Sequence, residues 1–143
     1  MEVSLIGKII LYIDISIMGL LSLIIFGFQW QVFRGKAMKN PDGSNDNWHE
    51  QKLFYGMALS DLTIAIPFSL LGIILIFLDI KLGYYITGMA AFWFVWVNSV
   101  FTITSLRFEK PKITPMWLFV YPFGIIVGSV YLIWSYVYFE LIF

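Results

Sequence analysis

Four long apolar segments separated by three polar connections set the pattern of the chain. They run from about Ser4 to Phe28, Leu53 to Leu78, Leu82 to Leu106 and Met116 to about Phe139. A helix rising about 1.5 Å per residue needs about 20 apolar residues to cross a bilayer, and each segment is long enough. The pattern predicts an all-α integral membrane protein: a four-transmembrane-helix bundle forming one membrane domain over residues 1–143. Met1-Glu2 puts an acid where a secretory signal would carry basic residues, and no A-x-A pattern follows the first apolar run, so the first span is expected to be retained.

The connections are Gln29 to Lys52, Asp79 to Lys81, and Arg107 to Pro115. Only the first is long. Its Lys39-Asn40-Pro41-Asp42-Gly43-Ser44-Asn45-Asp46-Asn47 run is dense in turn formers and predicts a polar surface loop. Asp42, Ser44 and Asp46 imitate the start of a calcium loop, but Asn47 replaces the glycine and Leu53 the glutamate that such a loop requires, so a solvated turn is expected.

Orientation follows from the basic residues. Arg34, Lys36, Lys39, Lys52, Arg107, Lys110 and Lys112 belong to one side of the bundle, while Lys8 and Lys81 belong to the other. The positive-inside rule then places the two polar loops in the cytoplasm and both termini on the opposite side. Trp30, Trp48 and Trp117 are expected at the cytoplasmic boundary, and Tyr84, Tyr85, Trp134, Tyr136 and Tyr138 at the other, as aromatic belts.

In lipid, helices associate through small residues and interhelical hydrogen bonds, so these mark the inward faces. The second span carries Ala58, Asp61, Ala65, Ser69 and Gly72 at helical spacing; the third carries Gly88, Ala91, Val95, Asn98, Thr102 and Ser105; the fourth carries Gly124, Gly128, Tyr131, Ser135 and Tyr138. Gly124-x-x-x-Gly128 predicts close helix packing, within the chain in preference to a dimer. Pro67 and Pro122 remove backbone donors, and kinks are expected there.

Composition narrows the function classes. Of the 143 residues 60% are hydrophobic, 20% aromatic and only 13% charged, against about 25% charged in an ordinary soluble domain. Nine Lys and Arg balance nine Asp and Glu, which leaves no basic surface for nucleic acid. The absence of cysteine removes thiolate chemistry, and the single histidine, His49, excludes any site within one chain that needs two imidazoles. No nucleotide-binding glycine loop, serine-hydrolase elbow or zinc-protease motif occurs, so no catalytic residue, metal or cofactor is assigned.

The chemistry that remains is buried. An ionisable residue at membrane depth costs at least about 2.5 kcal/mol, so it must face the bundle and find a partner. Asp14 and Asp61 are the two such residues. Asp61 lies nine residues after Lys52 and Asn98 nine before Arg107, about 13.5 Å from the same side, which predicts a direct contact between them. Thr102 and Ser105 would continue a polar ladder from Asn98 to the cytoplasmic surface, where His49, Glu50 and Arg107 could form a mouth. Asp14, about 30 Å from Arg34, falls at the level of Thr87 and Ser135 near the other side. Two acids at two depths read as stations for a ligand, or as carboxyls whose hydrogen bonds hold helices together. Trp93 and Trp96 lie off the small-residue stripe and are expected to face lipid or a neighbouring helix.

Asp61-Leu-Thr-Ile-Ala-Ile-Pro67-Phe68 is similar to the acid, five residues, then Pro-Phe arrangement on the second helix of EXPERA-type four-helix membrane proteins, which include the sterol isomerases and the sigma-2 receptor. Val120-Tyr121-Pro122 resembles part of their last helix. The resemblance, over about a tenth of the chain, implies a pocket for a sterol or amphipathic amine-like ligand with Asp61 as its charged anchor.

These features lead to one expected function and two alternatives. The first is a small membrane protein that binds or passes a proton, a cation or an amphipathic small molecule or lipid at a polar site around Asp61, Asn98, Thr102, Ser105 and Asp14. The second is a structural or accessory subunit of a homo-oligomer or larger membrane complex. The third is an intramembrane enzyme using Asp14 or Asp61 as acid or base, which lacks a nucleophile or a second acid at the same depth.

Overall fold

A computed structural model describes residues 3–36, 48–109 and 111–142, and every regular element among them is helical. The turn-forming run of residues 39–47, with its calcium-loop imitation, lies outside the described residues, as do the side chains of residues 48–51 and 109.

The first helix, α1 (Leu5–Phe33), opens on Ser4, whose hydroxyl accepts the Gly7 amide, and closes at Gly35 in the left-handed region. It runs beyond the expected end at Phe28 because Gln29 and the following residues complete another turn. The second span is built from α2 (Trp48–Ser60), a π-helical turn (Asp61–Ala65) and α3 (Ile66–Phe77). Pro67 explains the wide turn: it offers no amide to the carbonyl four residues back and its ring crowds that carbonyl. The helix widens ahead of it, and the Ile66 amide bonds the Asp61 carbonyl instead.

At the end of α3 the chain turns through Asp79, which adopts a φ of 56°, and the Ile80 amide closes back on the Leu75 carbonyl. Then α4 (Leu82–Thr104) leads into a second π-helical turn (Ser105–Glu109). The fourth span comprises α5 (Pro115–Val120), capped by Thr114, and α6 (Phe123–Val137), followed by the short α7 (Phe139–Ile142). The expected irregularity at Pro122 is realised as the break between α5 and α6.

Among the described residues, four helices are long and apolar enough to cross a membrane: Leu5–Phe33, Lys52–Phe77, Leu82–Phe108 and Pro115–Val137. Successive spans pack side by side. The α4 helix lies between α3 and α6 in the most extensive contacts of the bundle, and α1 closes the ring against α2 and α3 on one side and α6 on the other. The centre is filled by Ile15, Met18, Phe94, Ala91 and Tyr131, all almost fully buried. Outward faces carry exposed large apolar residues such as Ile6, Leu20, Phe92, Ile103 and Ile133.

Glycines set the closest approaches. A Cβ at Gly128 would collide with the Ala91 carbonyl oxygen, and one at Gly124 with the Asn98 amide, so the Gly124-x-x-x-Gly128 pair packs α6 onto α4 within the chain. Gly83 likewise admits the α3 backbone at Ile76 and Leu75. Trp134 and Trp117, the tryptophans expected at the two boundaries, are buried against neighbouring helices. Trp134 donates its indole proton to the Gly7 carbonyl (2.8 Å), and Trp117 donates to the Ser105 hydroxyl (3.1 Å), because an indole N–H removed from water needs an acceptor.

Candidate functional site

The inward face of α1 carries Asp14, Ser22 and Gln29 at helical spacing, separated by Met18 and Ile25. Each polar residue meets a different region of the bundle.

Near the turn that holds Asp61, Gln29 Nε2 donates to Asp61 Oδ2 at 2.5 Å. Asp61 is buried, and the Gln29 Oε1 atom is buried with no hydrogen-bond partner among the described residues. The expected contact between Asp61 and Asn98 is not made. Asn98 donates to the Phe94 carbonyl of its own helix (2.9 Å) and its amide covers Gly124, so it is occupied at the α4–α6 seam while Asp61 turns to α1.

The expected ladder beyond Asn98 is also not continuous. The Thr102 Oγ1 is buried without a partner among the described residues, and Ser105 accepts from Trp117 across to α5. Arg107 lies exposed in the second π-helical turn. The side chains of His49 and Glu50, the other members of the expected mouth, lie outside the described residues.

Midway along α1, the Ser22 hydroxyl donates to the Met18 carbonyl at 2.9 Å and accepts from the Ser69 hydroxyl at 2.8 Å. Both serines are fully buried. This pair ties α1 to α3.

Nearer the other end, Asp14 is 6% exposed, and its Oδ2 has no hydrogen-bond partner among the described residues. Its surroundings contain hydroxyls on two other helices. Tyr131 of α6 is fully buried, lies within electrostatic reach of Asp14, and donates to the Tyr84 carbonyl at 2.8 Å. Thr87 of α4 stands beside the Tyr131 hydroxyl, yet its own Oγ1 has no hydrogen-bond partner among the described residues. Ser135, expected at this level, bonds its own helix at Leu132 and lines an outer groove instead. The site near Asp14 therefore holds two orphaned buried oxygens and a tyrosine hydroxyl already committed as donor.

Along α1 the three polar points are separated by eight and seven residues, about 12 and 10.5 Å of helix axis. Hydrogen bonds reach about 3 Å, so these are separate polar islands in an apolar seam. Sequence reasoning missed Gln29 because the hydropathy pattern ended the span at Phe28; the signal was its place on the Asp14, Met18, Ser22, Ile25 face.

The segment resembling the EXPERA arrangement places Asp61 inward, with Pro67 and Phe68 on the outer surface of the second span. Compared with family models, curated proteins and solved structures, the chain matches none.

Proposed function

We propose that this is a multi-pass membrane protein that binds and releases protons at carboxyl sites inside a four-helix bundle, Asp14 near one membrane face and Asp61 nearer the other. Four apolar spans and a surface of exposed isoleucine, leucine and phenylalanine support the membrane setting. The observation that carries the reading is the Oδ2 of Asp14, buried and without a hydrogen-bond partner among the described residues. A buried carboxylate left without a donor is costly, and a proton is the smallest ligand that removes the charge and supplies a hydrogen bond.

The interior also favours a proton over an amphipathic molecule. Ile15, Met18, Phe94 and Tyr131 fill the middle of the bundle, and a larger ligand would have to displace them. The orientation follows the basic residues: polar loops in the cytoplasm, termini opposite, so Asp61 exchanges toward the cytoplasm and Asp14 toward the far side. Asn98, Thr102 and Ser105 serve the bundle in this reading as packing and supporting polar groups at the cytoplasmic half.

Modification by dicyclohexylcarbodiimide tests the proposal, since this apolar reagent captures protonated carboxyls. The expected adducts lie on the peptides containing Asp14 and Asp61, decline as pH rises, and vanish one at a time in Asp14→Asn and Asp61→Asn. Modification confined to surface carboxyls such as Asp79 and Glu140 would refute it.

A second reading, membership of a larger membrane complex, is favoured by one observation. An open apolar groove of about 560 Å³ lies between α4 and the α6–α7 end, lined by Tyr85, Met89, Phe92, Tyr136 and Phe139. Native mass spectrometry in mild detergent tests it: a co-purifying polypeptide released by Phe92→Ala supports a subunit role, and a partner-free protein opposes it.

A further inference from the structure

We infer that Gln29 and Asp61 form a two-hydrogen-bond amide–acid pair whose second bond exists only when Asp61 carries a proton. The geometry provides half of the pair directly: Gln29 Nε2 donates to Asp61 Oδ2 at 2.5 Å. The other half is the buried Gln29 Oε1, which has no hydrogen-bond partner among the described residues. A primary amide presents one donor and one acceptor on adjacent atoms, and a protonated carboxyl presents the complementary acceptor and donor. A proton on Asp61 Oδ1 therefore satisfies Gln29 Oε1 without any new residue. An ionised Asp61 leaves Oε1 orphaned and places a charge inside the seam.

Among the described residues, none gives Asp61 an ion pair to hold the ionised form. Gln29 is the hydrogen-bond partner that the structure gives it. The elements packed on its turn are α1, α2 and α3. Of their titratable groups at this end, Arg34, Lys52 and Tyr55 are exposed, α3 has none, and the side chains of His49 and Glu50 lie outside the described residues. The π-helical turn that begins at Asp61 supplies the freedom to respond, because its hydrogen bonds are strung over five residues instead of four. Proton binding at Asp61 thus clamps the end of α1 to the second span, and proton release unfastens that clamp.

This deepens the proton-binding reading, on which it rests, by assigning Gln29 as the positioning residue of the Asp61 site. Infrared difference spectra between acid and alkaline samples in lipid test both separately. A carbonyl band of a protonated carboxyl, lost in Asp61→Asn, is expected to move to higher frequency in Gln29→Met, where the amide is gone, and to stay in place in Asp14→Asn. An Asp61 band that ignores Gln29→Met would overturn the pairing. Absence of any Asp61 band while the Asp14 band persists would overturn it too, and leave the Asp14 reading standing; absence of both would remove that reading as well.

A stability comparison keeps the test independent of spectroscopy. Asn at position 61 reproduces the protonated acid, with its amide donating to Gln29 Oε1 and its carbonyl accepting from Nε2. Asp61→Asn is therefore expected to unfold at the wild-type temperature with no loss at alkaline pH, whereas Asp61→Leu unfolds lower. Equal destabilisation by the two substitutions would contradict the pair.

Discussion

Thr87 of α4 rests directly on Gly72 of α3: a Cβ at position 72 would stand 2.6 Å from Thr87 Oγ1 and 2.8 Å from the Thr87 amide nitrogen. The second of these atoms is backbone, so rotation of the threonine cannot relieve the collision. Gly72→Ala is expected to destabilise the bundle by about 1–3 kcal/mol, the cost of overpacking a close seam. It should also displace Thr87 from Tyr131, so carbodiimide labelling of Asp14 should change with it. Denaturant unfolding in lipid–detergent mixtures measures the first effect and peptide mapping the second.

The Ser22–Ser69 pair predicts a modest coupling. Hydrogen bonds between membrane helices average about 0.6 kcal/mol in double-mutant cycles, because the alternative partners available in the unfolded state offset much of their value. Ser22→Ala, Ser69→Ala and the double variant should give a coupling of about that size. A coupling of zero would mean that the hydroxyls, though 2.8 Å apart, do not hold α1 to α3.

Asp79 occupies the left-handed position of a helix-ending turn where glycine is usual. Side chains other than glycine are strained there, aspartate less than most. Asp79→Gly is expected to raise stability by up to about 1 kcal/mol, read from thermal or denaturant unfolding, with carbodiimide labelling of Asp14 and Asp61 unchanged. Unaltered or reduced stability would contradict the assignment of strain to this residue.

Much of the architecture was legible because hydropathy and small-residue spacing both follow helix geometry. Of the stripe Ala58, Asp61, Ala65, Ser69 and Gly72, all but the half-buried Ala65 lie on the buried face of the second span, which Ile66, Ile73 and Ile76 complete. In the third span the stripe Gly88, Ala91, Val95 and Asn98 marked the seam against α6, where Gly124 and Gly128 meet it. It marked only half of the buried face. The seam against α3 uses Gly83, Ile86 and Thr87, which a single stripe of the smallest residues does not reveal for a helix with two neighbours. The partner of Asp61 was not legible. Equal depth pointed to Asn98, but depth along an axis says nothing about which side of a widened turn a carboxyl takes, and Gln29 sat outside the apolar window.

The predicted orientation can be tested cleanly because the chain has no cysteine. Single substitutions Ser44→Cys, Lys112→Cys and Lys81→Cys place one thiol each in the first, third and second connections. In intact cells or sealed right-side-out vesicles, a membrane-impermeant maleimide should label only Lys81→Cys. Labelling of the Ser44→Cys and Lys112→Cys variants alone would invert the topology and exchange the surfaces that Asp14 and Asp61 face.

The most direct test of the central claim is carboxyl-carbon NMR of aspartate-labelled protein in lipid nanodiscs, with the Asp14 signal identified by its loss in Asp14→Asn. The account predicts a chemical shift of the protonated acid in the folded protein at neutral pH, moving toward the carboxylate value on alkalinisation. An Asp14 signal already at the carboxylate value in the folded protein at neutral pH would contradict proton binding at this site.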